Sequence, residues 1–301
     1  MWPAPDNPHV LDQMRTAHRT ACTALNVQPE QDAQEEVWGW RGRTLSQPVI
    51  APDGPSWLRV ACAPASQVDT TFWDGSLAAE NVIPNAVPRP RLRRYHDWID
   101  EPWKYRAELY DRVTVRPLAT SPSLHTAPDL TATWWAASRC VLHHIARVAT
   151  DRYTIRQDYL DQAMPRFLGT PVTTKAPTWS TAHGDFHFAN LCAPTLHILD
   201  WEGWGLAPTG YDAATLYIYS LLVPATAASV RSELRHLLDT PAGKFAELVV
   251  ITEVLHGTTR GDNLDLAQPA RNRAAILLDR PVPLSARAEG GGMPDSPETA
   301  D

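Results

Sequence analysis

The 301-residue sequence predicts an α+β fold, in which a small antiparallel sheet comes first and a larger, mainly helical part follows. Two strand-like runs flank Asp53-Gly54, and Asp-Gly is a common turn of antiparallel hairpins. Between Asp129 and Thr150, apolar residues recur every three or four positions, which indicates a long amphipathic helix. A chain of this length exceeds the usual size of a single core and is expected to form either one large domain or two lobes.

The composition and net charge limit the classes of protein to which this chain is expected to belong. Hydrophobic residues make up 44% of the chain, which is ordinary for a protein with a sizeable core. The formal net charge of −7 argues against nucleic acid as the main partner. The four cysteines include no C-x-x-C pair, and the N-terminus lacks the basic and apolar regions of a signal peptide. We therefore expect a cytoplasmic protein with reduced thiols.

One uncharged run, residues 213–230, approaches the length of a membrane span. Pro224 and several Thr and Ser residues lie inside this run. A buried helix that is broken at Pro224 is therefore the better interpretation, and no membrane partner is expected.

The pattern along the chain predicts four segments. Residues 1–36 form a Pro-rich cap with a helix from about Asp12 to Leu25. Residues 37–113 form the first lobe, and residues 114–280 form the second. From residue 281 to the C-terminus, Gly, Pro, Ser and acidic residues indicate a disordered tail.

In the first lobe the hairpin is followed by a predicted helix over residues 68–83, which Gly75 is able to split. A basic, Pro-containing connector, residues 84–94, leads on to a strand near residues 107–113.

In the second lobe, further helices are expected over residues 157–167, 229–238 and 245–255. A short apolar run, residues 196–199, indicates a strand that ends at Asp200.

The most informative stretch runs from residue 181 to residue 211. It contains His183-Gly184-Asp185-x-x-x-x-Asn190, in which Asn190 follows Asp185 by five positions. This is the spacing of the kinase catalytic loop H-R-D-x-x-x-x-N, where the Asp accepts the proton of the substrate hydroxyl and the Asn holds Mg²⁺. Asp200 lies at a strand end, as does the kinase Asp that chelates Mg²⁺. Mg²⁺ on a phosphate takes oxygen ligands, which carboxylates and amides supply.

These residues carry a resemblance to a known family. His183-Gly184-Asp185-x-x-x-x-Asn190, followed by Leu-Asp200-Trp-Glu, resembles the Brenner motif and the metal-binding Asp of the aminoglycoside phosphotransferase family. Those proteins are small-molecule kinases with a bilobal, protein-kinase-like fold. The resemblance covers about residues 37–260 and is strongest over 181–212. It implies that ATP and Mg²⁺ are used and that a small molecule accepts the phosphoryl group on a hydroxyl.

The resemblance also implies roles for single residues. Asp185 would orient or deprotonate the acceptor hydroxyl. His183, the other residue of the catalytic motif, would support the loop rather than transfer protons. Asn190 and Asp200 would carry Mg²⁺. Glu202 would contact the metal or bracket a cationic acceptor.

The nucleotide-binding half matches the family less well. Gly39 to Gly42 would lie where a glycine-rich loop covers the phosphates, but these residues also fit a plain turn. Arg59 stands on the third strand, where kinases have a Lys, and keeps the positive charge with a longer, planar group. Glu80, with Asp74 as a competitor, would be the acid that fixes Arg59. The sequence is equally consistent with a solvent-facing Arg59 and with Asp74 and Glu80 as ordinary surface acids.

Two other function classes use the same residues. A kinase-like nucleotide-binding module with little or no catalysis would explain the Arg in place of Lys and the weak glycine loop. A metal-dependent hydrolase would use His183, Asp185 and His187 together with Asp200 as ligands. The acceptor, the choice between ATP and GTP, and the oligomeric state are left open by the sequence.

Overall fold

The computed structural model describes residues 3–30 and 36–284, and its fold is of the predicted α+β class. The contacts divide these residues into two compact units. The sheet unit contains residues up to 81 together with 89–116, and the helical unit contains residues 82–88 together with those from 117 onward.

The regular elements are numbered in chain order through both units. The strands are β1 (Gln28–Pro29), β2 (Val37–Trp38), β3 (Thr44–Ala51), β4 (Gly54–Pro64), β5 (Leu92–Asp100), β6 (Trp103–Asp111), β7 (Arg116–Pro117), β8 (Trp179–Ala182), β9 (Cys192–Ala193) and β10 (Gly205–Pro208). The α-helices are α1 (Pro8–Leu25), α2 (Thr70–Trp73), α3 (Gly75–Val82), α4 (Ala132–Ala146), α5 (Gln157–Leu168), α6 (Tyr211–Tyr219), α7 (Pro224–Glu233), α8 (Arg235–Leu238), α9 (Pro241–Thr258) and α10 (Ala267–Leu278). Short 3₁₀ turns are found at Trp40–Gly42, Ala65–Gln67 and Leu264–Leu266.

One antiparallel sheet organises the sheet unit. Its strands lie side by side in the order β1-β3-β4-β6-β5, and β2 also pairs with β3. Strands β3 and β4 form the predicted hairpin, with Ala51 opposite Gly54. Where β4 pairs with β6, Arg59 lies directly opposite Glu108. Residues directly opposite each other point to the same side, so Arg59 and Glu108 share one face of the sheet.

Helix α1 covers the other face of this sheet. The apolar side chains of α1 and of strands β3, β4 and β6 form one buried core, which includes Met14, Ala17, Ala21, Cys22, Leu25, Leu45, Val49, Leu58, Val60, Ala107 and Leu109. The helix of the predicted segment 1–36 is thus packed on the sheet, where its apolar face is buried. The helix also starts earlier than predicted, at Pro8, because the side chain of Asn7 accepts the N–H of His9.

The helix predicted over residues 68–83 is split, as Gly75 suggested. Helix α2 begins after Asp69, whose side chain accepts the N–H of Thr71, and ends at Trp73. Helix α3 begins at Gly75 and continues to Val82.

In the helical unit, the nearly fully buried helix α9 packs against α5, α6, α8 and α10. Helix α4 is shorter than the predicted 129–150, because the side chain of Thr131 accepts the N–H of Trp134 and starts the helix there. Helix α5 agrees with the prediction and ends at Gly169, which has a positive φ of 76°.

The uncharged run forms two helices rather than one. Helix α6 ends at Tyr219, and α7 begins at Pro224 as predicted, because proline is well suited to the first position of a helix. Within residues 3–30 and 36–284, no helix is both long enough and apolar enough to cross a membrane.

The strand predicted over residues 196–199 is reduced to a single bridge between Leu191 and Ile198. The segment is nevertheless held in place, since Ile198 N–H donates to the carbonyl of Pro88 at 2.9 Å and Leu199 N–H donates to that of Asn190 at 2.8 Å. Most of the predicted disordered tail, from residue 285 onward, lies outside the described residues.

We predict that Met14→Ala lowers the free energy of unfolding by about 2–5 kcal/mol, because it opens a cavity between α1 and the sheet. Met14 is fully buried, whereas Thr20 on the same helix is exposed. Thr20→Ala is the control and should change stability by less than about 0.5 kcal/mol. Urea unfolding followed by tryptophan fluorescence measures both variants. An equally small effect of both would show that α1 is not part of this core.

Candidate active site

The loop that follows β8 is shaped by Gly184. This residue has a φ of 97°, which strains any residue with a Cβ. A Cβ at this position would also lie 3.0 Å from the carbonyl oxygen of Gly203. The chain therefore makes a tight turn here, and the turn requires glycine.

The buried carboxylate of Asp212 accepts hydrogen bonds from the backbone of this turn. Asp212, in the first turn of α6, accepts the backbone N–H of His183 at 2.7 Å and that of Gly184 at 3.1 Å. Burial raises the pKa of Asp212 to about 6, and the two N–H donors act in the opposite direction by favouring the charged form. Asp212 therefore braces the His183–Gly184 turn from within the helical unit.

His183 connects the loop to the segment that precedes Asp200. Its Nε2 lies 3.0 Å from the carbonyl oxygen of Leu199, and its Nδ1 accepts the N–H of Asp185 at 3.2 Å. Burial lowers the pKa of His183 to about 4, so the ring is neutral at pH 7 and carries its proton on Nε2. Both ring nitrogens are engaged with the main chain. The ring thus connects the loop to the main chain of the segment before Asp200.

The loop exposes one acid among buried residues. Within residues 181–188 every residue is buried except Asp185, which is partly exposed. Phe186 and Phe188 on either side of His187 are fully buried and anchor the loop in the core. The alternation of apolar anchors and polar residues therefore places Asp185 at the surface of the helical unit.

Asn190 ties the two halves of the motif together. Its side-chain Nδ2 donates to the carbonyl of Asp185 at 3.1 Å. Its own carbonyl accepts the N–H of Leu199, the neighbour of Asp200, at 2.8 Å. Asn190 is thus connected to Asp185 by a side-chain hydrogen bond and to the residue before Asp200 by a main-chain hydrogen bond.

Asp200 is exposed and has a left-handed backbone, with a φ of 61°. Asp tolerates this conformation better than most residues. The adjacent Trp201 is buried and donates its indole N–H to the carbonyl of Ile198 at 2.9 Å. The chain therefore turns at Asp200 while the residues on both sides stay anchored.

The donor chemistry fits Mg²⁺ better than a transition metal. Because Nδ2 of Asn190 donates to the main chain, Oδ1 is the atom of this carboxamide suited to a cation, and Asp200 adds a carboxylate. Among the described residues there is no group of three or more His, Cys, Asp or Glu that could hold a metal ion. The hydrolase alternative needs such a group, and it also needs His183, whose two nitrogens are engaged.

Arg59 has a different acidic partner from the one predicted. Its Nη1 donates to Oε2 of Glu108 at 3.0 Å, and the O–H of Tyr110 donates to the same oxygen at 2.9 Å. The prediction of Glu80 as the acid that fixes Arg59 is corrected, because Glu80 instead binds Arg89 and Arg91. Asp74, the competitor, pairs with Arg106 at 3.0 Å.

Gly42 lies in the 3₁₀ turn between β2 and β3 rather than in a glycine-rich loop. It has a φ of 74°, and a Cβ there would come within 2.4 Å of Cγ of Pro5. The close approach that requires glycine is thus made to the N-terminal segment of the chain itself. This finding removes the structural reason for assigning Gly42 to the phosphates.

Two residues that the sequence analysis did not name hold the segment after Asp200. Arg152 donates to the carbonyls of Glu202 and Trp204, each at 3.1 Å, and its guanidinium lies over the Trp204 ring. Thr154 donates to the carbonyl of Gly203 at 2.6 Å. No motif marks Arg152 or Thr154, because they lie about fifty positions before the carbonyls they bind. The partly exposed Glu202, predicted to contact metal or acceptor, is thus held through its backbone.

Comparison with known proteins identifies the fold of this chain. No family model and no curated protein sequence matches this chain. Among solved structures, aminoglycoside phosphotransferase APH(4)-Ia matches with a TM-score of 0.60 and 13% identity, over 88% of this chain and 98% of the other. Two ternary complexes of thermostable mutants of the same enzyme match with TM-scores of 0.58 and 0.59 over the same shares and with the same identity; they contain ADP or AMP-PNP together with hygromycin B. This chain has the same kinase-like fold. At such low identity, the likeness establishes the fold alone.

His187, the next histidine in the loop, is buried beside Tyr219, and its Nδ1 has no hydrogen-bond partner among the described residues. Burial lowers the pKa of His187 from 6.5 to about 3. The unfolded chain therefore binds this proton more readily, and the stability contributed by neutral His187 is lost as the pH falls from about 6.5 towards 3.

We predict that His187→Gln loses about 2 kcal/mol less stability than the wild type when the pH falls from about 7.5 to about 5. Urea unfolding at the two pH values measures the difference. The histidine at position 183 and the carboxylate at position 212 also titrate in this range but are common to both proteins, so they cancel. An identical pH dependence in the two proteins would contradict the buried, neutral state of His187.

Proposed function

We propose that this protein is an ATP- and Mg²⁺-dependent phosphotransferase that moves a phosphoryl group to a hydroxyl of a small molecule. The observation that carries the proposal is the braced loop, in which Asp185 is partly exposed while Asn190 is bonded both to Asp185 and to the residue before Asp200. The shared fold supports it, since the structures of APH(4)-Ia mutants contain nucleotide and hygromycin B.

Asp185 would accept the proton of the acceptor hydroxyl. The backbone around it is held on both sides, because its N–H donates to His183 and its carbonyl accepts the side chain of Asn190. The carboxylate is thus carried on a fixed loop, and positioning of this kind is most of what phosphoryl transfer requires of a protein.

Asn190 and Asp200 would hold Mg²⁺ through one amide and one carboxylate oxygen. Mg²⁺ bound there would neutralise negative charge on the nucleotide phosphates. Arg59 would add a second positive charge toward the nucleotide, as a planar group able to grip phosphate through two N–H donors. Glu202 is proposed to bracket a cationic acceptor, in keeping with the net charge of −7.

A kinase-like nucleotide-binding module with little or no catalysis is the second candidate. Two observations favour it: Arg59 replaces the usual Lys, and Gly42 packs against Pro5 instead of opening a glycine-rich loop. A thermal-shift measurement with Mg²⁺-ATP, paired with an ATP-consumption assay, separates the two functions. Stabilisation without turnover across a broad acceptor panel would favour the binding module.

The direct test of the phosphotransferase is mass-spectrometric detection of a phosphorylated product. The protein is incubated with Mg²⁺-ATP and a library of aminoglycosides, amino alcohols, sugars and nucleosides. A product that requires both the protein and ATP supports the proposal and identifies the acceptor.

We predict that Asp185→Asn keeps the affinity for Mg²⁺-ATP but reduces turnover about 10²- to 10⁴-fold, because the base is lost while the fold is kept. Isothermal titration calorimetry and the product assay measure the two quantities. Asp129→Asn, which changes an exposed acid of the helical unit, is the matched control and should keep full activity. Turnover equal to wild type in Asp185→Asn would remove the base assignment.

We predict that Asp200→Asn raises the Mg²⁺ concentration needed for half-maximal nucleotide binding by about tenfold or more, because one charged oxygen ligand becomes neutral. Binding of ATP in the presence of EDTA should be the same in both proteins. The measurement is a titration of Mg²⁺ at constant ATP. An unchanged Mg²⁺ requirement would show that Asp200 is not a ligand.

A further inference from the structure

Arg59 and Glu108 form a cross-strand pair that is nearly buried. The two residues are directly opposite each other in the antiparallel pairing of β4 with β6. Nη1 of Arg59 lies 3.0 Å from Oε2 of Glu108, and the side chains are 14% and 2% exposed. A charge in such surroundings is costly unless it is paired, so the pair constrains both side chains.

Tyr110 gives Glu108 a second donor. Its O–H donates to the same oxygen, Oε2 of Glu108, at 2.9 Å. Burial and the charge of Glu108 raise the pKa of Tyr110 well above its ordinary value, so the phenol keeps its proton and stays a donor. The carboxylate of Glu108 is therefore fixed from two directions, by a guanidinium and by a phenol.

Glu80, on helix α3, is engaged elsewhere. Its carboxylate accepts the N–H of Leu92 at 3.2 Å and lies 3.6 Å from Nη2 of Arg89. Arg91 also donates to it through two nitrogens. These contacts connect α3 to the segment that enters β5, and they give Glu80 a structural role in the sheet unit.

We propose that Glu108, and not the helix acid Glu80, is the positioning residue that holds Arg59 for a nucleotide phosphate. The inference rests on the proposed function, since it concerns the phosphate-binding cation of that site. A guanidinium is planar, so one hydrogen bond to a fixed carboxylate sets the directions of its other donors. Because both partners belong to neighbouring strands, the direction of Arg59 is set by the sheet and does not depend on the position of α3.

The test measures the dissociation constant of Mg²⁺-ATP by isothermal titration calorimetry, which needs no acceptor. We expect Glu108→Gln to weaken binding by about tenfold or more, because the charged partner of Arg59 is lost. Glu80→Gln should weaken it by less than about twofold, because the carboxylate of Glu80 is already bound by the segment that enters β5. Glu36→Gln breaks another Arg–Glu pair of the sheet unit, that with Arg15, and is the matched control.

A double-variant cycle separates positioning from a general effect on the fold. If Glu108 acts only through Arg59, the variant with both Arg59→Gln and Glu108→Gln binds Mg²⁺-ATP no more weakly than Arg59→Gln alone. Thermal unfolding of each variant checks that it is folded. Should Glu108→Gln not fold, Tyr110→Phe removes only the second donor, and we expect it to fold and to weaken binding by about threefold.

The outcomes distinguish this inference from the proposed function. A wild-type protein that does not bind Mg²⁺-ATP overturns both. If the wild-type protein binds Mg²⁺-ATP and Glu108→Gln binds it with the same affinity, only the positioning role is overturned. The same holds for Tyr110→Phe if that variant has to replace Glu108→Gln. The positioning role is also overturned if Glu80→Gln weakens Mg²⁺-ATP binding more than Glu108→Gln does. It is overturned as well if the double variant binds Mg²⁺-ATP clearly more weakly than Arg59→Gln.

Discussion

A carboxylate buried at the start of α6 is the interaction on which the candidate site depends. Asp212 accepts two backbone N–H groups of the His183–Gly184 turn. Burial makes the charged form of Asp212 costly, as its raised pKa shows, and the two N–H donors offset part of that cost. Without an acceptor at this position, the N–H groups of a turn in the core would have no partner. The partly exposed Asp185 is therefore carried by a loop that is held from inside the helical unit.

The second constraint is a set of hydrogen bonds to the main chain. His183 reaches the carbonyl of Leu199, Asn190 reaches that of Asp185, and Arg152 and Thr154 hold the carbonyls that follow Asp200. Because these bonds end on backbone atoms, they fix the path of the chain and do not use the carboxylates of Asp185 or Asp200 as acceptors.

Much of this arrangement is determined by local chemistry and was predictable from the sequence. The hairpin at Asp53-Gly54, the helix break at Pro224 and the split at Gly75 all agree with the structure. Each of these features depends on the backbone preferences of one or two adjacent residues, which do not need the rest of the fold. The spacing of Asp185 and Asn190 is likewise local, so their connection within one loop could be expected.

Only the tertiary structure decided which distant residues are partners. Arg59 pairs with Glu108, 49 positions away, and Arg152 binds a carbonyl 50 positions away. Glu80, the acid that the family pattern suggests for Arg59, binds other arginines. A charged side chain has several possible partners of opposite sign, and the sequence does not rank them. Strand register and burial make that choice, because they determine which charges approach and how much an unpaired one would cost.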